Sequence, residues 1–522
     1  MSYELVWFKR DLRWQDHAAL AQAALRGSVR CIYVVEPELW LQPDAALQHF
    51  EFVRESLQAL DAELRLHGGC VEVHKGELPD VLSRIWSEAP FQHLHAHQET
   101  GNGFTYDRDL RVGAWCKAHN VGWHEYPQFG VVRTLKNRNL WQPAWEQHMT
   151  APVEHIEELR FWHSTALSRS WCSPSDMQAP SHLQHNPPLR QRGGRPLALD
   201  TLHSFLHARS LGYRGGISSP LTAPDACSRL SAYLAWGCIS MREVVQHTRA
   251  HIAQLPPQAS RHRAGLTAFI SRLYWHCHFI QKLESEPAIE WHNMHRGYDG
   301  LREHDFNEAH FEALKAARTG WPMVDACVTM LRETGWLNFR MRAMLVSVAA
   351  YPLWLHWRPV GEWLATQFLD YEPGIHWSQL QMQSGTTGIN TTRVYNPIKQ
   401  AQDHDPHGRF VRQWLPVMRQ VPDTWLFEPW LMPRTMQTHL GIFVAGDTNS
   451  DKSGTLTQPV VDLAQTTREA KQRLHSRRQT DEVKAAKKAV VDKHASRKNW
   501  GARSRAGADK AQATKAQLGF DF

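Results

Sequence analysis

Apolar residues recur along the first 130 positions in two alternating rhythms, and the alternation predicts the architecture. Short apolar runs suited to buried strands fall at 5–8, 31–35, 70–74, 93–97 and 121–126. Between them, apolar positions three or four apart predict helices over 18–26, 45–67, 78–88 and 105–119, with Asp16 as the candidate N-cap of the first and Gly27 as its stop. A strand–helix–strand series of this kind predicts a doubly wound parallel sheet, so residues 1–130 read as an α/β domain. It contains neither G-x-G-x-x-G nor a Walker A sequence, so dinucleotide or ATP binding by those devices has no support.

From 131 to 200 the rhythm breaks. Ser173-Pro174-Ser175, Asn186-Pro187-Pro188 and Gly193-Gly194 predict an interdomain connector that wraps the surface. From 201 to 435 the helical period dominates, with predicted helices at 200–210, 225–236, 240–252, 261–283, 308–317, 322–333, 338–350 and 360–369. This is an all-α domain. After Pro433 the chain turns polar, 465–498 has at most weak helical character, and 436–522 is expected to be a basic, mostly disordered tail.

Composition narrows the class. The 522 residues, 42% hydrophobic and 10% aromatic, can fill a large core and exclude global disorder. The eight cysteines form no C-x-x-C pair and stop at Cys327, which argues against zinc and iron–sulfur sites and for a reduced, cytoplasmic chain. Charges follow the first apolar run at once, and no apolar stretch reaches ~18 residues, so neither a leader nor a membrane contact is expected. Net charge is +7, yet residues 465–522 alone hold 15 Lys/Arg against 6 Asp/Glu. The basic character therefore sits in the tail, as a polyanion-binding arm or simply as a solvated one. The 23 tryptophans suit stacking and redox work as well as ordinary core packing.

Acid/base and nucleophile signatures are scarce: there is no G-x-S-x-G and no H-E-x-x-H. What remains are polar segments within the helical region. Cys227-Ser228-Arg229-Leu230-Ser231, at a predicted helix start, offers hydroxyls, a guanidinium and free backbone N–H groups to an anion. The plainer alternative is a capped helix with Ser228 satisfying the backbone. Asn338-Phe339-Arg340-Met341-Arg342 follows Gly335-Trp336.

Five stretches, in order, carry a resemblance. Trp7-Phe8-Lys9-Arg10-Asp11-Leu12-Arg13, SRLSAYLAWGCIS (228–240), TGWPMVDA (319–326), GWLNFRMR (335–342) and RVYNPIKQAQDHDPHGRFVRQWLP (393–416) resemble the photolyase and cryptochrome family over residues 3–433. The resemblance implies FAD in the helical domain. Ser228, Arg229, Leu230 and Ser231 would then clasp its pyrophosphate, with Tyr213 a further phosphate contact, and Arg342 and Asp370 would form the ion pair beside the isoalloxazine. Glu372 falls at a second carboxylate position near the ring. Trp275 matches the tryptophan that packs against a flipped pyrimidine dimer, and Trp357 the middle tryptophan of the family's electron-transfer chain.

Several positions depart from the family pattern. Arg272 stands where repair enzymes carry Glu, and Phe339 and His376 stand where flavin-contacting Asn residues are usual. Leu380 takes the place of the inner tryptophan, for which Trp354, Trp363 and Trp377 are candidate replacements, and Met382 the place of the second dimer-contacting tryptophan. Phe339 and Ala343 replace the histidine pair of the six-four enzymes, which disfavours that chemistry. The resemblance thus implies a light-driven lyase acting on cyclobutane pyrimidine dimers in DNA, with a cryptochrome-type photoreceptor, its tail a signalling arm, as the alternative. A dark nucleotide-utilising enzyme is a third reading, disfavoured by the absence of a phosphate-binding glycine loop. A second, antenna chromophore of folate or deazaflavin type is expected without its identity, as is a monomeric state. The terminal Gln517-Leu518-Gly519-Phe520-Asp521-Phe522 resembles short peptides that dock on sliding clamps.

Overall fold

The computed structural model describes residues 3–163, 170–389, 393–445 and 455–494. Five parallel strands, β1 (Glu4–Phe8), β2 (Val29–Val35), β3 (Val71–Lys75), β4 (His93–His97) and β5 (Gly122–Tyr126), form one sheet in the order β3-β2-β1-β4-β5. Glu4 pairs with Val29 on one side and His93 on the other. Strand residues alternate between two buried faces. Val6, Phe8, Cys31 and Tyr33 pack with α1 (Ala18–Ala24) and α2 (Leu47–Leu66), whereas Leu5, Trp7, Ile32 and Val34 pack with α3 (Leu78–Glu88) and α4 (Gly103–Ala118). Burial on both faces explains why β1 and β2 read as near-continuous apolar runs, whereas the edge strand β5 is only half-buried and carries polar residues.

Asp16 is not the cap of α1. It sits at φ +49°, and His17 caps the helix instead, its Nδ1 accepting from the Leu20 N–H at 3.0 Å. The opposite ring nitrogen, Nε2, donates to Asp11, which also accepts from His97 Nδ1 at 2.7 Å. Asp16 turns instead to the helical region.

The segment expected to be a surface connector contains α5 (Trp141–Thr150), which buries Trp141, Trp145 and Met149 in the core. Beyond it come α6 (Arg195–His207), α7 (Met241–Gln254), α8 (Ser260–Ser285), α9 (Glu308–Lys315), α10 (Pro322–Thr334), α11 (Phe339–Ala350), α12 (Trp357–Gln367) and α13 (Pro373–Ser384). One apolar cluster runs without a break from Phe8, Phe50 and Phe52 to Leu234, Val244 and Phe269, so the sheet and the helical region share a core. A Cβ at Gly237, which lies at φ +69°, would come within 2.2 Å of the Arg10 carbonyl oxygen; only glycine allows this approach.

The expected helix over 225–236 is two short pieces, Ala223–Ala226 and Ser231–Ala235, with a bend between them. Where 465–498 was expected to be at most weakly helical, α14 (Leu463–Arg478) and α15 (Asp481–His494) form. Leu474 and Ala470 pack with Tyr351, and Arg477 Nε donates to the Gly297 carbonyl at 2.6 Å. Tertiary anchors supply what the local sequence lacks. The clamp-like terminal peptide lies outside the described residues. Among the described residues no helix is long and apolar enough to cross a membrane.

Asp16 joins the two regions, accepting from Arg242 and from the Ser240 hydroxyl, with the Glu154 N–H at 3.0 Å. Burial alone would raise its pKa, but the Arg242 hydrogen bond, the Arg13 charge and Ser240 outweigh it and hold the carboxyl at about 2. Its stabilisation is complete above the unfolded value of 3.8 and is lost as pH falls towards 2. Asp16→Asn should cost about 2–3 kcal/mol at neutral pH, a deficit that narrows between pH 4 and 2 in urea titrations.

Candidate functional site

The bend at 227–230 is enforced from behind. Arg209 donates to the carbonyl oxygens of Cys227 and Ser228, the latter at 3.0 Å, and Gln191 Nε2 donates to that of Arg229 at 3.0 Å. Arg229 is held at φ +62°, a conformation that a residue with a Cβ adopts at a cost of roughly 1–3 kcal/mol. Its guanidinium lies 3.9 Å over the Trp336 ring, and among the described residues no carboxylate pairs with it. Burial pulls its pKa down to about 10. Ser228 Oγ accepts from the Leu230 N–H at 3.4 Å, but Leu230 is the N-cap of the helix that follows and that helix has no side-chain cap, so the capped-helix alternative is not what forms. Leu230 is fully buried and does not line the cavity.

This bend forms one wall of a cavity of about 320 Å³, within the range of roughly 300–1,000 Å³ usual for organic ligands. A second wall is α8, whose Arg272, Trp275, His276 and Phe279 follow the i, i+3, i+4, i+7 spacing of one helix face. Arg272 hydrogen-bonds the Tyr213 hydroxyl. The third wall comes from α11 and α13, with Phe339, Arg342, Ala343, His376 and Leu380.

Arg342 and Asp370 meet in two parallel bonds, Nη1 to Oδ1 at 3.0 Å and Nη2 to Oδ2 at 2.9 Å. Arg342 Nε also donates to the Leu337 carbonyl at 2.6 Å, fixing the plane of the fork. Burial would raise the Asp370 carboxyl, but the Arg342 charge and hydrogen bonds, with Ser231, hold it below the ordinary carboxylate range. Glu372, beside it, goes the other way: burial lifts it to about 7, only partly opposed by Arg10 at 3.5 Å.

The chain around Asp370 is pinned by the α/β layer. Gln48 Nε2 donates to the Thr366 carbonyl at 2.6 Å, His49 Nε2 to Phe368 at 2.9 Å, and Arg10 Nη2 to Tyr371 at 2.6 Å. Tyr371 in turn donates its hydroxyl hydrogen to Asp44 at 2.6 Å. Burial pushes His49 down to about 4, so its ring is neutral and Nε2 carries the proton.

Ten of the twelve expected site residues therefore meet here: Tyr213, Ser228, Arg229, Ser231, Trp275, Phe339, Arg342, Asp370, Glu372 and His376 all line the cavity. Trp357 does not. It is buried behind the wall, its Nε1 donating to Asn293 at 2.8 Å. Sequence reasoning missed His276, Gln379 and Gln383; the helical spacing around Trp275 could have revealed His276. Asn338 also lines the cavity, and its buried Oδ1 has no hydrogen-bond partner.

Comparison with known proteins gives the same picture. A family model described as the FAD binding domain of DNA photolyase matches residues 269–476, and one described as DNA photolyase matches 4–135. The chain is 26% identical to a cryptochrome DASH of Gloeobacter violaceus over 88% of its length and 93% of the relative's. It is also 26% identical to a deoxyribodipyrimidine photo-lyase of Streptomyces griseus over 89% and 97%. The fold is shared with a class III photolyase of Agrobacterium tumefaciens, with TM-score 0.77 at 21% identity over 92% of this chain and 98% of that one. An archaeal photolyase of Sulfolobus tokodaii, whose structure holds two FAD molecules, has TM-score 0.71 at 24% identity over 91% and 99%.

Removing one partner of the charge pair strands the other. Arg342→Ala should destabilise the chain by about 3–5 kcal/mol, read from urea unfolding, whereas Arg342→Lys should retain part of that loss.

Proposed function

Because this chain belongs to the photolyase and cryptochrome family, with FAD as its cofactor, we propose that it is a DNA-repair lyase driven by light. In this reading it splits cyclobutane pyrimidine dimers. The cavity suits the cofactor on its own terms: Arg229 is a half-buried cation that no carboxylate pairs with among the described residues, which suits a pyrophosphate, and Asn338 Oδ1 awaits a donor. Ser228, Arg229 and Ser231 would hold the phosphates, with Tyr213 behind them through Arg272. Arg342 and Asp370 would set the charge beside the ring system. Reduced FAD supplies a light-excited electron.

The observation that carries the reading is that Trp275 shares one cavity with the Arg342–Asp370 pair. A stacking plate for an extruded base and a charge-tuned cofactor seat are then within one enclosure, as electron transfer to a flipped lesion requires. The substrate class would be DNA containing pyrimidine dimers. His276 and His376 are both pushed down to about 4 by burial, so they are neutral hydrogen-bonding groups rather than proton shuttles at physiological pH.

Trp377 stands edge-on to His376, which lines the cavity, at 5.0 Å between ring centroids, and to Trp357 at 5.9 Å. It is thus the best placed of the candidate tryptophans to stand in for the ring that Leu380 lacks. For an antenna, a second cavity between Trp7, Trp40, Arg108 and Trp236 measures only about 70 Å³. That is far below the roughly 300 Å³ at which organic-ligand pockets begin, so the expected second chromophore has no ready seat there.

The photoreceptor is the alternative, favoured by Arg272, Phe339, His376 and Leu380, family departures that all line the cavity. Illumination of the reduced holoprotein with a dimer-containing oligonucleotide decides. Thymine absorbance should recover in light and not in darkness, and Trp275→Ala should weaken lesion binding by about 1–3 kcal/mol. No recovery in light with FAD bound would leave the photoreceptor.

A further inference from the structure

Where the C-terminal helix docks, positive charge gathers around a single carboxylate, Glu286. α15 buries Val483 and His494 against the body, and its end is tied to Glu286 by His494 Nε2 at 2.8 Å and Lys493 Nζ at 2.7 Å. The helix also packs against 138–140, where Arg138 lies 4.4 Å over the Trp141 ring and contacts His278 Nδ1. Arg138 Nη1 and His494 Nδ1 are buried without hydrogen-bond partners. Lys282, nearly buried, rests over the Phe279 ring at 4.9 Å, and among the described residues no carboxylate pairs with it or with Arg138. Burial, reinforced by the charge of Arg138, pushes the Lys282 ammonium down to about 7. Glu286, the neighbouring carboxylate, is already shared by Lys493 and His494.

Buried cations that repel one another call for an anion. The group also adjoins the cavity, since the His278 ring meets Trp275 edge-on at 4.8 Å. Along the solvent side of α15, Lys484, Lys487 and Lys488 follow the i, i+3, i+4 spacing of one side of a helix, all three exposed and without ion-pair partners among the described residues. This helix lies wholly beyond residue 476, where the matched FAD-binding model stops.

Resting on the nucleic-acid reading above, we propose that Arg138 and the Lys484–Lys487–Lys488 side of α15 bind the phosphodiester backbone of DNA beside Trp275, with Lys282 buried beneath them. The docked C-terminal helix is then part of the nucleic-acid interface. Arg138 Nη1 donates to a phosphate oxygen, and the lysines act as point charges along the strand. Binding releases about one counterion per phosphate neutralised, so the lysines are counted by salt dependence.

The test is fluorescence anisotropy of a labelled, undamaged duplex with the full-length holoprotein across a salt series. Lys484→Gln/Lys487→Gln/Lys488→Gln, confirmed folded by circular dichroism and by an unchanged flavin spectrum, should lower the slope of log K against log salt by about 2–3. Arg138→Gln should lower it by about 1. If wild type binds the duplex and both variants keep its slope and affinity, the assignment of these cations is overturned while the DNA reading stands. If wild type shows no salt-dependent binding, the DNA reading falls and takes this assignment with it.

Discussion

A carboxylate removed from water stays ionised only where cations or hydrogen-bond donors meet it, and the site is arranged around meeting that requirement for Asp370. Arg342 answers it with a two-bond fork whose plane is fixed by the Leu337 carbonyl. The fork has one correct position, so the chain carrying Asp370 cannot drift. The α/β layer prevents drift by holding three carbonyls within 366–371 through Gln48, His49 and Arg10, while Trp236 holds a fourth, that of Leu369, at 3.0 Å. The cavity lies in the helical region, but its geometry is set from the sheet side.

That arrangement suits a reaction of electrons better than one of protons. The histidines around the cavity are neutral through burial, and Asp370 stays ionised because Arg342 and Ser231 outweigh the same burial. Environment assigns opposite states to groups within one enclosure. Glu372, lifted to about 7 by burial against the Arg10 charge and the Gly374 N–H, is the cavity carboxylate closest to switching within the physiological range.

The centre of the sheet was legible because two-sided burial leaves near-continuous apolar runs in β1 and β2, and β3, β4 and β5, richer in polar residues, were legible from their alternation with helices; all five strands overlap the predicted segments. The α8 wall was legible too, since Trp275 has its cavity neighbours at helical spacing. The Arg342–Asp370 pair is different. Its members are 28 residues apart, and only the resemblance joined them. The bend at 227–230 was hidden because its polar and apolar spacing fits a continuous helix, and the force breaking it comes from Arg209 and Gln191, remote in the chain. The C-terminal helices were hidden for a related reason: α14 buries only Ala470 and Leu474, and α15 only Val483 and His494, so contacts at Glu286 and Gly297 hold what periodicity could not show.

If the α/β layer positions the Asp370 chain, loosening that grip from the sheet side must weaken the cofactor site. Arg10 does not itself line the first cavity, although its partners Tyr371 and Glu372 do. The most direct measurement is the FAD dissociation constant of the apoprotein, by flavin fluorescence quenching, for wild type and Arg10→Gln. Loss of the Tyr371 and Ala235 contacts, two hydrogen bonds from a charged group at about 1.5–3 kcal/mol each, predicts FAD affinity at least tenfold weaker with unchanged circular dichroism. An affinity equal to wild type would contradict the account, placing the control of Asp370 within the helical region alone.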